Sequence, residues 1–507
     1  MNNKLIKKCG AVLCTLAIVC SAFFVSGMNA FAAEGDSIPQ SDWEMTVPRV
    51  YVTTENGNGT TLQKEDGYQN AAITILGTDG STLADDCSFK VRGNTTALSW
   101  VTKKAFTFKF AKKKDVLGMG KGKKWALIAN AFDPTLLHNY AAFELADELG
   151  LEYTSKRQFV ELWVDGSFRG CYMLFEPVQE GKERVDIDIE SNDGKKDFMI
   201  EYEAKRVEDD VTYFTVDGLR FISSEPEEPN EEQLEYITST MQDIITTIRT
   251  GSREEIEDKI DVPSFAKFYV LNEFVKTYDF NMSSVFFYYK DGKLYAGPAW
   301  DYDMSFGNET ATFSKVAAEA SDPAGVFAAD KNIYKYLCKH DWFNEQAKRM
   351  YHLHYDYINN IAADGGLFDT ALQQYGDVFT RNYSTAGWYV GKWWINYQLK
   401  PKTTYQGNYN VLKSWTQERT AWMQEYYGDP SEPFLLGDAD GNGKLNVSDA
   451  STIQRVLAEQ TLDDREGVIL RGDANCDGRL TIEDATLVQM WLAEFNVRYA
   501  IGETTIA

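Results

Sequence analysis

Gly297-Pro298-Ala299-Trp300-Asp301-Tyr302-Asp303-Met304-Ser305-Phe306-Gly307 is the stretch on which the reading of the chain turns. Its Asp-x-Asp pair sets two carboxylates where both can reach one side, which suits a hard divalent ion. Upstream stands Tyr278-Asp279-Phe280-Asn281. Between the two, residues 285–289 and 293–296 read as strands joined by an Asp291-Gly292 turn. Such a strand pair returns the chain and brings Asp279 near Asp301. Phosphoryl transfer uses two carboxylates in this way, one facing an acceptor hydroxyl and the other holding Mg2+ on the phosphates. Glycoside hydrolysis uses two as acid and base, and Asp-rich turns also serve as ordinary caps and surface loops.

Around that stretch, residues 50–427 mix strand and helix signals. In Ala105-Phe106-Thr107-Phe108-Lys109-Phe110 three Phe fall on one strand face. Further strands are predicted at 159–164, 171–175 and 197–202, with Asp165-Gly166 as a turn. Asp133-Pro134 reads as the cap and first position of a helix running to Gly150. Residues 230–249 and 263–277 read as two more, and 342–422 is mostly helical and rich in Tyr and Trp. Strands first and helices later predict an α+β domain. The aromatics from Trp388 to Tyr427 could stack on sugars, but their spacing fits core packing better. His352 and His354, two apart, do not make a metal pair on a helix.

A Gly/Pro/acid linker at 428–435 separates this domain from a repeat. Asp438, Asp440, Asn442, Gly443, Asn446 and Asp449 occupy positions 1, 3, 5, 6, 9 and 12 of one loop. Asp473, Asn475, Asp477, Gly478, Thr481 and Asp484 repeat the pattern. This is calcium-loop spacing: alternate oxygens of a tight loop converge, Gly at position 6 permits the turn, and Lys444 and Arg479 give backbone carbonyls. Position 12 is Asp, which can ligate if a helix starts close by, and 450–457 and 485–492 look helical. Cys476 is expected to point outward as an unpaired thiol. Residues 499–507 form a tail.

Residues 1–32 combine Lys4, Lys7 and Lys8, an apolar run and Ala30-Phe31-Ala32. They read as a secretory signal peptide, too short in its apolar part for a stable membrane span. A lead-in at 33–49 follows. Loss of the three lysines takes the formal net charge from −25 to −28, which argues against a nucleic-acid partner. Cys87, Cys171, Cys338 and Cys476 remain, without the spacing of a zinc site.

Two resemblances go further. Residues 436–498 resemble the dockerin module, two EF-hand-like loop-helix halves that form a small all-α unit. That resemblance implies two bound Ca2+ ions, a cohesin module of a scaffolding protein as partner, and a cellulosome-type extracellular assembly. The loop positions that tune partner choice, Val447-Ser448 and Ile482-Glu483, differ between the halves. Residues 297–307 resemble the Trp-Asp-x-Asp segment of the spore-coat protein H (CotH) kinase family, secreted relatives of protein kinases. Arg92-Gly93-Asn94-Thr95-Thr96, Lys103-Lys104-Ala105-Phe106, Lys109-Phe110, the helix with His138-Asn139 and Gly170–Glu176 resemble its other segments in order. The resemblance implies an atypical protein-kinase-like fold using ATP with Mg2+ or Mn2+. It makes Asp279 the catalytic aspartate, Asp301 the metal ligand with Asp303 beside it, and Arg92, Lys104 or Lys109 phosphate-neutralising cations. Glu176 would orient a lysine. Kinases place an Asn five residues after the catalytic Asp, whereas here that position is Ser284, and no Gly-x-Gly-x-x-Gly loop is present. Three readings stay open: a phosphotransferase acting on a protein substrate, a polysaccharide-binding or polysaccharide-degrading component, and an inactive structural or adhesive subunit.

Overall fold

The computed structural model describes residues 41–189, 197–205, 211–309, 314–388, 404–430, 432–497 and 499–505. The signal-peptide segment lies outside these residues, as do Tyr389, Trp393, Trp394 and Tyr397. No helix among the described residues is long and apolar enough to cross a membrane. The chain divides into two compact units. The first holds the chain up to Ala131 with Lys156–Pro177 and Tyr375–Trp388, and the second holds the rest.

The first unit is a closed barrel. Its strands are β1 (Arg49–Thr54), β2 (Gln69–Leu76), β3 (Thr82–Arg92), β4 (Ala105–Asp115), β5 (Lys121–Ile128), β6 (Arg157–Val164) and β7 (Ser167–Phe175). They run in the order β1-β2-β3-β4-β5-β7-β6, and β1 closes the ring by pairing parallel to β6. The period-2 pattern of β4 is borne out: Phe106, Phe108 and Phe110 are buried while Lys109 faces water. Phe89 stacks on Phe106 at 4.6 Å, and Trp125 and Tyr172 complete the filling. The buried Glu161 carboxylate is matched by Arg381 at 2.6 Å, Arg49 at 3.5 Å and the Trp43 indole.

In the second unit, β8 (Phe198–Tyr202), β9 (Tyr213–Val216), β10 (Leu219–Glu225), β11 (Val285–Lys290) and β12 (Lys293–Ala296) form a sheet in the order β12-β11-β8-β10-β9. Helix α1 (His138–Glu148) starts later than predicted. Leu136 takes φ +65°, which a helix cannot continue through, so Asp133 is not its cap but a buried carboxylate ahead of it. Helix α2 (Glu231–Thr250) opens on a capping box, in which Asn230 and Gln233 cap each other. Helix α3 (Arg253–Lys259) is followed by α4 (Val262–Val275), capped by Asp261 with Pro263 in its first turn. The later helices are α5 (Lys315–Ser321), α6 (Tyr334–Leu337), α7 (Asp341–Leu353), α8 (Tyr355–Asn360), α9 (Leu367–Ser384), which belongs to the first unit from Tyr375 on, and α10 (Tyr405–Tyr427). Tyr409, Trp415 and Tyr427 are buried, so these aromatics of α10 belong to the core. His352 meets the Gly428 carbonyl and His354 meets Glu148.

Helix α4 ends at Lys276, in the left-handed region, whose ammonium is buried and donates to the Asp322 and Ala324 carbonyls. Burial, with Arg419 close by, pulls its pKa down to about 7. Between roughly pH 7 and 10 the unfolded chain therefore holds a proton that the folded chain has released, and stability rises with pH. We expect a gain of about 2 kcal/mol from pH 7 to 9, read by urea denaturation. A Lys276→Met variant should show no such slope; an unchanged slope would assign it elsewhere.

Helices α11 (Val447–Leu457), α12 (Arg465–Gly472) and α13 (Ile482–Leu492) follow, tied at their ends by β13 (Phe434–Leu435) against β14 (Thr504–Thr505). Helices α11 and α13 each start three residues before the predicted point, because Asn446 and Thr481 cap them and Asp449 and Asp484 complete the boxes. Ala450, Ile453, Val456, Val468, Ala485 and Val488 form their own core. This segment is not set apart from the body of the second unit. Gln346 of α7 donates to the Cys476 carbonyl, and Arg349 of α7 pairs with Asp473. Arg479 pairs with Glu254 and Glu257 of α3. Cys476, expected at the surface, is buried, because its loop faces α7 rather than solvent. None of the four cysteines is in a disulfide.

Candidate functional site

The site in the second unit is built by two backbone returns. The β11–β12 hairpin turns through Asp291 and Gly292, both at positive φ, with Lys290 opposite Lys293. It carries the chain from Asp279, in the 3-10 turn Tyr278–Asn281, to the segment that begins at Gly297. Strand β8 then pairs with β11, Tyr202 opposite Val285 and Glu201 opposite Phe286. The end of β8 thus lies beside both aspartates.

Asp279 accepts from Lys205 Nζ at 2.7 Å. Asp301 has φ +65°, a costly conformation for a residue other than glycine, and its Oδ2 accepts from Ser284 Oγ at 3.3 Å. Ser284 is also at positive φ, and its N–H donates to Glu201 at 2.8 Å. The segment after Asp301 is pinned from α1, where the side-chain Oδ1 of Asn139 accepts from Tyr302 N–H at 2.8 Å. Asn308 ties the far end to the Phe132 and Asp303 carbonyls. Below it, Asp133 is fully buried, 2.7 Å from His138 Nδ1 and bonded to Thr135. Burial pushes the Asp133 carboxyl up, but His138 and these hydrogen bonds more than offset it and leave it below the usual range.

The electrostatics are one-sided. Burial holds Asp303 well above the usual carboxylate range, and Asp301, Asp279 and Asp133 add to the rise. Burial also raises Glu201 to about 7, with Glu203, Asp301 and Asp279 adding and the Ser284 N–H opposing. Glu203 is raised chiefly by burial, partly offset by Lys205. Asp279, Asp301, Asp303, Glu201 and Glu203 thus act on one another near Lys205, and Asp133 acts on Asp303. Repulsion of this kind is relieved by protons or by a bound cation. Lys205 fixes Asp279 beside this cluster.

Glu201, Glu203 and Lys205 were not found from the sequence. Their signal is the alternation Glu201-Tyr202-Glu203-Ala204-Lys205, which places three charges on one side of the strand and its extension. The basic candidates lie in the first unit. Lys104 Nζ is buried and spent on the Ala97 and Leu98 carbonyls at 2.8 and 2.6 Å. Arg92 ends β3, and Lys109 stands on the outer face of β4. Glu176 is buried, and its Oε2 accepts from the Lys156 N–H at 3.1 Å.

The sequence profile of the CotH kinase protein family matches residues 89–423. The chain belongs to the CotH kinase protein family. The match takes in β4, the Asp279 turn and the Asp301 segment, so the acidic site is the CotH domain's own. The barrel strands β1 and β2 precede the match and the 436–498 segment follows it. No curated protein matches the chain.

That C-terminal segment presents a second candidate. In its first loop the carboxylate oxygens of Asp438, Asp440 and Asp449 lie within 4.8 Å of one another. Asp438 is shaped by the N–H groups of Asn442 and Gly443, with Gly443 at φ +77°. Asn446 caps α11, and Lys444 gives its carbonyl to the Asn446 amide. In the second loop Asp473 accepts from Asp477 N–H and Gly478 N–H, Asn475 bonds Asp477, and Thr481 bonds Asp484. Burial raises Asp473 to about 7 and Asp484 to about 6. At position 1 of the second loop, Asp473 holds the Arg349 guanidinium.

Proposed function

We propose that this chain is a secreted phosphotransferase of atypical protein-kinase type, carried on a calcium-dependent dockerin. The observation that carries the first half is the convergence of Asp279, Asp301 and Asp303 with Glu201 and Glu203 around a single lysine. Asp301 and Asp303 would hold Mg2+ or Mn2+. Such an ion, with ATP, supplies a polarised γ-phosphoryl group. The protein's part is to hold Asp279 against Lys205 so that its free oxygen can take the proton of an acceptor hydroxyl, and to aim Asp301 from a strained backbone tethered by Ser284. Isothermal titration of ATP with Mg2+ or Mn2+ into the full chain tests this reading. Binding is expected to vanish in Asp301→Ala; binding unchanged by that substitution would remove the assignment. Ser284 in place of an asparagine favours a second reading, an inactive adhesive or structural subunit, which would bind no nucleotide in the same titration.

For the second half, the convergence of Asp438, Asp440 and Asp449 fits one Ca2+, with Asn442, Asn446 and the Lys444 carbonyl available to complete the set. Asp473, Asn475, Asp477, Thr481, Asp484 and the Arg479 carbonyl would serve a second. A cohesin on an extracellular scaffold is the partner this reading assigns. Because Arg349 already pairs with Asp473, the two loops should bind unequally. Titration of Ca2+ into the full chain is expected to show one tight and one weaker site. Arg349→Ala should tighten the weaker by about tenfold, the scale of one charged competitor. Two equal sites, unaffected by that change, would contradict the account.

A further inference from the structure

The chain is acidic overall, yet residues 109–124 of the first unit contain seven lysines, Lys109, Lys112, Lys113, Lys114, Lys121, Lys123 and Lys124, against one acid, Asp115. They lie on the β4–β5 hairpin, and six of the seven are exposed. Lys114 pairs with Asp85 at 2.6 Å. A basic island on a protein of net charge −25 does not arise from solubility needs, because it attracts the chain's own acidic surface. It marks a surface for a polyanion.

Strand register gives this surface an order. Asn70 of β2 stands opposite Ser88 of β3, Ser88 opposite Lys109 of β4, and Lys109 opposite Lys124 of β5. Four strands at ~4.8 Å spacing extend this polar row over about 14 Å. A groove of about 470 Å³ lies along it, lined among others by Tyr68, Asn70, Asp86, Ser88, Lys109 and Lys123. Tyr68 is 42% exposed, and Lys90 Nζ sits 4.5 Å from its ring centroid.

We propose that this groove binds an acidic polysaccharide, specifically a polymer of uronic acid. The inference does not rest on the phosphotransferase or calcium readings. The lysines answer the ligand's carboxylates, and the Tyr68 ring offers an apolar face to a sugar ring. Asp86 decides the class. Its carboxylate can only accept hydrogen bonds at neutral pH, so it suits a ligand that carries hydroxyl donors beside its negative charges. The internal sugars of a DNA strand carry no hydroxyl to donate to Asp86, and an acidic peptide brings few. A lipid surface would need several exposed apolar anchors, whereas the row offers the Tyr68 ring among lysines and polar side chains.

The test is isothermal titration of the full chain with oligogalacturonate, a neutral xylo-oligosaccharide and single-stranded DNA at one salt concentration. Oligogalacturonate is expected to bind and the neutral sugar not to. Tyr68→Ala and Lys109→Glu should each weaken binding at least tenfold while the thermal unfolding midpoint stays in place. Failure to bind oligogalacturonate would overturn the proposal. So would DNA binding as tight as oligogalacturonate, which would make the island a general polyanion patch. Binding indifferent to Tyr68→Ala in a folded variant would remove the sugar-stacking groove.

Discussion

Replacing Arg419 by methionine is expected to cost about 3–5 kcal/mol of stability, the usual effect of stripping one member from a buried ion pair. Arg419 on α10 is fully buried and meets Glu273 of α4 at 2.6 Å. Its other nitrogen donates to the Pro323 and Gly325 carbonyls. Glu273 in turn accepts from the Phe327 and Ala328 N–H groups. One guanidinium thus fastens two helices and the 323–328 loop, and α4 leads through Lys276 directly to Asp279. Without Arg419, a buried carboxylate keeps only two backbone donors and two carbonyls lose theirs. Urea denaturation of the variant measures the loss, and a value below 1 kcal/mol would show the clamp to be dispensable. The double change Glu273→Met with Arg419→Met should recover part of it, because no uncompensated charge then remains.

On the proposed phosphotransferase reading, Asp279→Asn should lower phosphoryl transfer by roughly a hundredfold or more while leaving nucleotide binding in place. Asparagine keeps a hydrogen-bonding group beside Lys205 but cannot accept the hydroxyl proton. The contrast with Asp301→Ala, expected to lose binding itself, separates the two aspartates by role. Transfer is followed with radiolabelled ATP into the chain itself or an added acceptor protein, and binding by titration. If Asp279→Asn transfers at the parental rate, the proton acceptor is another group.

Much of this could be read from local sequence because it is local in origin. The alternation of Phe106, Phe108 and Phe110 gives a strand and its inward face, and Asn230 with Gln233 gives a helix start. Asp291-Gly292 gives a hairpin that turns Asp279 back towards Asp301. The parts that escaped depend on contacts between distant residues. Glu201, Glu203 and Lys205 reach the site only because β8 pairs with β11, more than eighty residues later, and no local pattern announces that register. Asp133 has the spacing of a helix cap, yet a single left-handed residue, Leu136, delays the helix and leaves the carboxylate to His138. Cys476 was misplaced for the same reason, since a loop position says which way a side chain leaves its own turn and nothing about α7 lying against it.

The ring of strands in the first unit fixes where the domain can be cut. The family match begins at Phe89, inside β3, while the ring is closed by β1, which pairs with β2 on one side and β6 on the other. A fragment trimmed to the match would lose two staves and leave β3 and β6 with open edges. Unpaired backbone groups beside exposed Phe106 and Phe108 are templates for strand exchange and precipitation. A soluble fragment of this domain has to include β1 from Arg49, well upstream of where the family match begins.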